Sequence, residues 1–279
     1  MATTEERIKQ NVREHYTKAV TRGSCCASTP AQSSCCVPAD QVGFHAGYGE
    51  EVKTLPQDAV INSFGCGNPL AFAGVEPGHV VVDIGSGAGI DCLLAAQKVG
   101  PAGRVIGIDM TPMMIQKARE NARRAGAANI EFRLGDAESM PVEDGVADWI
   151  ISNCVINLSP DKPRVFREAY RVLRPGGRLS ISDIMVEELP DTLRQSAALY
   201  SSCVAGAIPE AQYLDGIRQA GFSDVKVTER VMYDRDQMLA LLEDTDLTRR
   251  IGGLAESPEA LVDRYLVGKI WSAKVTARK

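Results

Sequence analysis

The sequence is poor in histidine and tryptophan and has no excess of positive charge. It contains three histidines and two tryptophans among 279 residues, and its formal net charge is -5. Binding to a phosphate backbone depends on clustered Lys and Arg, so a nucleic-acid partner is disfavoured. No apolar run approaches the roughly 20 residues that span a bilayer, and the N-terminus is polar and amphipathic. We therefore expect a cytoplasmic protein with neither a nucleic-acid nor a membrane partner.

The spacing of a structural zinc site is also missing, although the chain has eight cysteines. Since no secretion signal is recognisable, that number favours ligand or redox roles over a disulfide framework. Tandem CxxC pairs, which hold structural zinc, do not occur. The cysteines instead form two N-terminal pairs and four separated positions: Cys25–Cys26, Cys35–Cys36, Cys66, Cys92, Cys154 and Cys203.

Strand and helix patterns alternate from about residue 55 onward. Apolar, β-branched runs predict five strands in this part of the chain: His79–Ile84, Arg104–Asp109, Asn129–Leu134, Asp148–Asn153 and Arg178–Asp183. Helices are predicted between them over Ile90–Val99 and Met113–Ala125, the second opened by Thr111 and Pro112. This alternation is typical of an α/β fold with a doubly wound, mainly parallel sheet.

The two ends of the chain have different patterns. Residues 5–21 predict a helix, and residues 23–40 form a Ser-, Ala-, Pro- and Cys-rich stretch that indicates a loop. After Val186 the alternation fades into helical segments, with later strands predicted near Asp224–Met232 and Ser272–Ala277.

A glycine-rich loop follows the first predicted strand, where residues 83–89 read DIGSGAG. Glycines at this turn let the backbone pass close to a ligand. The dinucleotide fingerprint requires Gly or Ala where this chain has Ile90, which disfavours NAD. The D-x-G-x-G-x-G pattern instead resembles the first motif of class I S-adenosylmethionine-dependent methyltransferases, whose fold is a Rossmann-like sheet.

Further features resemble the same family in chain order. Asp109 ends the second strand, where an acidic side chain can accept the ribose hydroxyls. Residues 136–138 follow the third strand, where the family contacts adenine, and a Pro-Gly-Gly turn at 175–177 precedes the fifth. The resemblance implies that S-adenosylmethionine is bound by Phe64, Asp83, Gly85, Ser86, Gly87, Asp109, Met110, Asp136, Ala137, Glu138 and Asn153.

The cysteine-containing motifs resemble those of one branch, the arsenite methyltransferases. The match runs from about residue 40 to about residue 230 and is carried by Phe64–Pro69 (FGCGNP), Asp83–Cys92 (DIGSGAGIDC), Gly107–Thr111 (GIDMT), Ser152–Lys162 (SNCVINLSPDK) and Cys203–Ala207 (CVAGA). The run over Ser152–Lys162 is highly specific, whereas the N-terminal cysteine pairs and the C-terminal end match less distinctively. The family implies a detoxifying enzyme that methylates arsenite and then methylated arsenicals.

This resemblance implies that trivalent arsenic binds to Cys66, Cys154 and Cys203. Ligands bind outside the carboxyl ends of parallel strands, and Cys154 lies just past the end of the fourth strand. Thiolates are soft ligands, which suits a thiophilic metalloid. A sulfonium methyl group is already activated, so an arsenic lone pair can attack it without a general base. The low histidine content fits such a reaction.

Oxidation of arsenic accompanies methyl transfer, so a reducing step is also implied. Thiol–disulfide exchange could return arsenic to the trivalent state, with Cys35 or Cys36 as the disulfide partner of Cys66. Glutathione or thioredoxin would then be the co-substrate that supplies the thiol. With these roles, we divide the chain into an N-terminal helix and cysteine-rich segment (1–54), an S-adenosylmethionine-binding core (55–185), and a C-terminal arsenic-site and sheet-completing region (186–279).

Other cysteines and charges have simpler interpretations. Cys92 lies on the helix after the glycine loop, and we interpret it as a buried structural thiol that faces the sheet. The pairs Cys25–Cys26 and Cys35–Cys36 could capture and hand over arsenite, bind zinc or have little role. Asp161 and Lys162 are consistent with a solvated start of a helix.

Two other functions remain open on the residues alone. The same fold could methylate a carbon or oxygen atom of a small organic acceptor, which would require an apolar pocket with a base. The chain could also sequester arsenite on its thiols without transferring a methyl group. The complete set of donor motifs argues against sequestration.

Overall fold

The computed structural model describes residues 3–23, 48–61, 67–70, 73–194, 200, 203–236, 238 and 258–279. In these residues the strands are β1 (Val80–Ile84), β2 (Arg104–Asp109), β3 (Ile130–Leu134), β4 (Ala147–Asn153), β5 (Leu173–Val186), β6 (Ser223–Met232) and β7 (Ile270–Arg278). The α-helices are α1 (Thr4–Gly23), α2 (Gln57–Ile61), α3 (Ile90–Val99), α4 (Pro112–Arg124), α5 (Lys162–Val172), α6 (Asp191–Arg194), α7 (Glu210–Gln219) and α8 (Pro258–Tyr265). Two 3₁₀ turns cover Glu50–Thr54 and Ile156–Leu158.

The seven strands form one sheet in the order β3-β2-β1-β4-β5-β7-β6. Strands β3, β2, β1, β4 and β5 run parallel, whereas β7 pairs antiparallel with both β5 and β6. The prediction of a mainly parallel, doubly wound α/β sheet is therefore confirmed. The two C-terminal strands complete the sheet beside β5.

The central strands are apolar because helices cover both faces of the sheet. Strand β1 reads VVVDI, and four of its five residues are buried, as expected for the centre of a parallel sheet. One face packs against a cluster that includes Phe166 and Tyr213, and the other against a cluster that includes Leu93 and Trp149. The core thus lies in two apolar layers that hold the sheet between them.

Most predicted boundaries agree with the structure, but the fifth strand is longer than predicted. It was predicted over Arg178–Asp183 and extends over Leu173–Val186. The extension beyond Asp183 occurs because Ile184, Met185 and Val186 pair with β7, a partner distant in sequence. The predicted N-terminal helix is confirmed as α1, whereas most of the predicted 23–40 loop lies outside the described residues. None of the helices that the structure describes is long and apolar enough to cross a bilayer.

The parallel register brings three chain segments to one edge of the sheet. Ile84 at the end of β1 lies beside Ile108 of β2 and Ser152 of β4. The residues that follow these strands therefore emerge next to each other. This edge is where the sequence predicts the methyl donor and the arsenic ligands to meet.

Candidate functional site

A cavity lies at the carboxyl edge of the sheet, beneath the glycine loop and the ends of β2 and β4. Most of the residues that line it come from these three segments, and the rest from α1 and from the segments that follow β3 and β4. Its walls are formed by Lys9, Val12, Tyr16, Ile84, Gly85, Ser86, Gly87, Ala88, Ile90, Asp91, Ile108, Asp109, Met110, Thr111, Met114, Ala137, Glu138, Asn153, Cys154, Val155, Leu158 and Ser159. The structure thus brings together eight of the eleven residues predicted to bind the donor.

The glycine loop is held against β2 and leaves room for a ligand. The amides of Gly85 and Ser86 both donate to the carbonyl of Ile108, at 2.7 and 2.9 Å. Gly85 has a φ of 73°, and a Cβ there would come within 2.2 Å of the Val155 side chain. Gly87 has a φ of 51°, but a Cβ there would meet no atom within 4 Å. Both glycines permit left-handed backbone, and Gly87 also keeps the cavity open.

Asp109 joins the glycine loop to the end of β2. One carboxylate oxygen accepts the Gly87 amide at 3.0 Å, and the other accepts the Thr111 amide at 2.7 Å. Burial raises the pKa of Asp109, while these two hydrogen bonds lower it in part. The carboxylate therefore lies at the cavity wall where the sequence predicts a ribose contact.

Asp83, near the end of β1, lies outside the cavity lining. Its side chain is buried and accepts the Cys92 thiol at 3.3 Å. Burial raises the pKa of Asp83, and the nearby carboxylate of Asp91 raises it further. Cys92 is also fully buried and lies outside the cavity lining, as predicted. Its Sγ packs against β2, because a Cβ added to Gly107 would lie 2.8 Å from that sulfur. A donor contact by Asp83 remains a prediction.

A buried polar network at the other end of the cavity was not predicted from the sequence. The Asn153 amide donates to the Tyr48 hydroxyl at 2.9 Å and to Asp91 at 3.2 Å, and it also donates to the Gly67 carbonyl at 2.5 Å. The Tyr48 hydroxyl in turn donates to Asp91 Oδ2 at 2.8 Å. Asp91 is 5% exposed, and burial raises its pKa to about 6. Asn153 therefore connects the end of β4 to an acidic group on α3.

Cys154 and Cys203 lie together with unusual backbone geometry. Their φ angles are 56° and 64°, and Asp224 is the other residue besides glycine with a positive φ in the described part of the chain. The Cys203 thiol donates to the Cys154 carbonyl at 2.7 Å, and the Cys154 amide donates to Ser182 of β5. Both side chains are buried, and Cys154 lines the cavity. Strained, buried residues of this kind concentrate at functional sites.

The oxidation states of these cysteines differ. Cys154 is disulfide-bonded, whereas Cys92 and Cys203 are free thiols. Burial raises the pKa of Cys203, as does the charge of Asp183. Cys25, Cys26, Cys35, Cys36, Phe64 and Cys66 lie outside the described residues. Within the described ranges, no three His, Cys, Asp or Glu side chains are placed to hold a metal ion, and the three-thiol site remains a prediction.

Comparisons with known proteins show which family the chain belongs to. Residues 76–244 match a family model described as a methyltransferase domain. An arsenite methyltransferase of Halobacterium salinarum is 40% identical over 98% of this chain and 67% of its own length. The chain belongs to the arsenite methyltransferase family. A second arsenite methyltransferase, from Aquipseudomonas alcaligenes, is 36% identical over 88% of this chain and 68% of its own length.

A solved structure supports the same assignment to the arsenite methyltransferase family. The arsenic(III) S-adenosylmethionine methyltransferase of Chlamydomonas reinhardtii superposes with a TM-score of 0.60 and 34% identity. The match covers 88% of this chain and 74% of the algal one. This chain therefore spans about two thirds to three quarters of the length of these family members.

In this arsenite methyltransferase family member, helix α1 lies along one side of the cavity. Lys9, Val12 and Tyr16 line the cavity from one face of the helix. Lys9 Nζ lies 2.8 Å from Glu138 Oε2, and Arg13 donates to Asp136 at 3.1 Å. The sequence pattern predicts the helix but indicates no role for it at the site. The spacing of residues 9, 12 and 16 on one helical face is the signal that could have indicated a covering surface.

The ion pairs with α1 involve two of the three residues predicted to contact adenine, Asp136 and Glu138. Ala137 and Glu138 line the cavity, whereas Asp136 lies outside its lining. Glu138 also accepts the Ser159 hydroxyl at 2.6 Å. These carboxylates therefore hold α1 and the segment after β4, and their contact with adenine remains a prediction.

The interpretation of Asp161 and Lys162 as a solvated helix start was half wrong. Asp161 caps α5 by accepting the Arg164 amide at 3.0 Å. Lys162 turns inward and donates to the carbonyls of Asn157 and Ser159, and burial lowers its pKa to about 8. Its ammonium group lies close enough to the buried carboxylate of Asp183 for that charge to raise its pKa in part.

Proposed function

We propose that this chain transfers the methyl group of S-adenosylmethionine to trivalent arsenic held on cysteine thiolates. The single observation that carries the proposal is the position of Cys154. This residue lines the donor cavity, and its carbonyl accepts the thiol of Cys203. A thiophilic acceptor held by these sulfur atoms would lie beside the donor.

The cavity fits the proposed donor. Gly87 leaves open space above the loop, and Asp109 presents a carboxylate at the end of β2. Asp91 has a buried carboxylate oxygen without a hydrogen-bond partner. We propose that Asp109 receives the ribose hydroxyls and that Met110 and Ala137 lie against the adenine. S-adenosylmethionine supplies a methyl group that is already activated by its sulfonium charge.

The role of the protein in the reaction is then mainly alignment. An arsenic lone pair requires no proton removal before it forms a bond to carbon, so the chain need not provide a general base. Helix α1 contributes one side of the cavity wall through Lys9, Val12 and Tyr16. Holding donor and acceptor in a near-attack geometry can contribute roughly 7–11 kcal/mol to lowering a barrier. We assign Cys154 and Cys203 to hold both arsenite and the monomethylated species, and Cys66 to the first step.

The disulfide at Cys154 supports the proposed requirement for a thiol reductant. A disulfide-bonded sulfur has no thiolate with which to bind arsenic, so the site must be reduced before it binds substrate. We propose that Cys66 and either Cys35 or Cys36 give two electrons to the pentavalent product and form a disulfide, which glutathione or thioredoxin then reduces by thiol–disulfide exchange. A reducing compartment such as the cytoplasm would suit this chemistry.

The test is incubation with methyl-labelled donor, arsenite and glutathione, followed by separation of the arsenic species. We expect labelled methylarsenicals and one molecule of S-adenosylhomocysteine for each methyl group transferred. Arsenite binding without S-adenosylhomocysteine would favour sequestration. Methylation that persisted on an organic acceptor after loss of Cys66, Cys154 and Cys203 would favour the organic-acceptor function instead.

A further inference from the structure

The two segments that carry the described cysteines of the candidate arsenic site run side by side. The Cys203 thiol donates to the Cys154 carbonyl at 2.7 Å. Three residues further along each segment, Gly206 lies against Asn157, and a Cβ added to Gly206 would overlap the Asn157 carbonyl oxygen. Because both contacts join the segments in the same order, the segments run in the same direction. The distance between them at the second contact therefore affects the spacing of the cysteines at the first.

Position 206 requires glycine for close approach and not for its backbone angles. Gly206 is buried and does not have a positive φ, so a residue with a side chain could adopt its backbone conformation. What blocks a side chain is the backbone carbonyl of Asn157, which cannot swing aside as the end of a flexible side chain can. Any larger residue at this position would therefore push the two segments apart.

The Asn157 side of this contact is fixed. The Asn157 side-chain amide donates to Asp183 Oδ1 at 2.8 Å and to the carbonyl of the following residue of β5 at 2.6 Å. The backbone carbonyl of Asn157, the group that Gly206 approaches, also accepts the Lys162 ammonium at 3.4 Å. Since Asn157 is anchored to the sheet, a displacement caused by a larger residue at 206 would fall mainly on the segment that carries Cys203.

The chemistry of trivalent arsenic makes this spacing important. A monomethyl arsenical has two bonding positions left, so it must bond to two sulfur atoms at once. A dimethyl arsenical has one position left and needs only one sulfur atom. Each As–S bond forms as a thiol proton and an arsenic-bound hydroxide leave together as water. Binding of the monomethyl species thus depends on the distance between two thiols, whereas binding of the dimethyl species does not.

We propose that Gly206, packed against the Asn157 carbonyl that Lys162 also contacts, sets the spacing at which Cys154 and Cys203 bond to one arsenic atom. This inference rests on the proposed function, because it takes trivalent arsenicals as the acceptor. Gly206 and Lys162 both lie outside the cavity lining. They are positioning residues, which act on the two thiols through the backbone of the segments that carry them.

The experiment compares trivalent monomethyl and dimethyl arsenicals as ligands of Gly206→Ala and of its parent protein. The parent has serine in place of the cysteines that could compete for arsenic, which are Cys25, Cys26, Cys35, Cys36 and Cys66. Dissociation constants are measured by calorimetry on protein kept reduced with a phosphine. We expect Gly206→Ala to weaken the monomethyl arsenical about tenfold or more, which corresponds to about 1.4 kcal/mol, and to leave the dimethyl arsenical within about twofold.

Gly103→Ala is the matched control. A Cβ on Gly103 would lie 2.7 Å from the His79 carbonyl oxygen, at the amino ends of β1 and β2 and away from the cavity. Both alanine variants should lower the melting temperature, but only Gly206→Ala should change the ratio of the two arsenical affinities. Equal weakening of both arsenicals by Gly206→Ala, or an unchanged affinity for the monomethyl species, would overturn the inference.

Lys162→Met is a second variant that introduces no steric overlap. It keeps an apolar side chain and removes a donor to the Asn157 carbonyl, so we expect a smaller but selective loss of monomethyl affinity. A change in the reactivity of a thiol would instead affect both arsenicals. Should Gly206→Ala not fold, an unchanged affinity ratio in Lys162→Met would overturn the inference. If the parent protein bound neither arsenical, the proposed function would fail and the inference with it.

Discussion

At the scale of single residues, the two described cysteines of the candidate arsenic site have strained backbone. Cys154 and Cys203 both have left-handed backbone, which costs a residue with a side chain about 1–2 kcal/mol. The thiol–carbonyl hydrogen bond between them and the bond from Cys154 to β5 hold that geometry. A site held in this way presents sulfur atoms in a set arrangement before substrate arrives.

The roles proposed for the cysteines predict different losses for different substrates. Each methyl group occupies one bonding position of trivalent arsenic, so a monomethylated species retains two thiolates. Cys66→Ser should therefore abolish turnover of arsenite and retain turnover of a pre-reduced monomethyl arsenical. Cys154→Ser and Cys203→Ser should abolish both. Product formation from each substrate, measured with excess thiol, provides the check.

The buried thiol of Cys92 is the internal control for this series. Cys92→Ser should lower stability because a smaller, more strongly hydrated hydroxyl replaces a buried thiol that packs against β2, but it should spare arsenite binding. If Cys66→Ser blocked the monomethyl substrate as fully as Cys154→Ser did, the division of roles would be wrong. A folded Cys92→Ser protein that had lost arsenite binding would show that Cys92 belongs to the site.

Two glycines with similar backbone geometry provide a residue-scale test of the donor cavity. Gly87 and Gly126 have φ angles of 51° and 65°, and a Cβ at either would meet no atom within 4 Å. Alanine at each should cost a similar amount of stability, about 1–2 kcal/mol. Gly87→Ala should also weaken S-adenosylhomocysteine about tenfold because its methyl group enters the ligand space. Gly126→Ala should not. Thermal melts and calorimetry measure the two effects, and equal affinities would place the ligand elsewhere.

At the scale of elements, helix α1 is held along the cavity by charge as well as by apolar contact. Val12 is buried beneath it, while Lys9 and Arg13 pair with carboxylates in the segment after β3. The side chain of Glu138 is 7% exposed, so its pair with Lys9 is screened less than a surface pair. These contacts thus fix the position of helix α1 along the cavity.

Removing the positive charge of Lys9 should speed the release of a ligand from the cavity. Lys9→Gln leaves Glu138 without its ammonium partner, and we expect S-adenosylhomocysteine to dissociate several times faster. Lys18→Gln, at an exposed position on the same helix, is the control and should leave the rate unchanged. Stopped-flow displacement measures both rates. Identical rates for Lys9→Gln and the wild type would mean that α1 does not govern ligand exit.

At the scale of the whole molecule, buried carboxyls make stability depend on pH in an unusual direction. Burial raises the pKa of Asp91 and of Asp183 to about 6, and it raises that of Asp83 as well. The pKa of Asp183 is raised even though its carboxylate accepts hydrogen bonds from Tyr213 and Asn157. The folded protein therefore retains protons that the unfolded chain has already released at the same pH.

This linkage predicts that the ligand-free protein is less stable at pH 7 than at pH 5. The contribution of a carboxyl with a raised pKa is fully present below its unfolded value near 3.8 and is lost as pH rises through about 6. Urea unfolding at both pH values measures the difference. Asp183→Asn should reduce it, whereas Asp263→Asn, at an exposed pair with Arg235, should not. A free energy of unfolding that increased from pH 5 to pH 7 would contradict the prediction.

The sequence by itself determined the features that depend on neighbours in the chain. Strand periodicity gave β1 to β4 to within a residue, because burial on both faces of a parallel sheet leaves continuous apolar runs. The glycine loop and Asp109 were predicted because a tight turn and a strand end have local signals. Cys154 was placed at the correct edge for the same reason, since it directly follows a strand.

Only the tertiary structure decided which distant segments meet at the site. Three features depend on contacts that the local sequence pattern does not indicate. They are the position of α1 along the cavity, the inward orientation of Lys162, and the network that joins Tyr48, Asp91 and Asn153. The left-handed backbone of Cys203 likewise has no local glycine to indicate it. Burial and pairing at long range set these features, because hydrogen bonds and charges inside a low-dielectric core are satisfied by whichever groups the fold brings near.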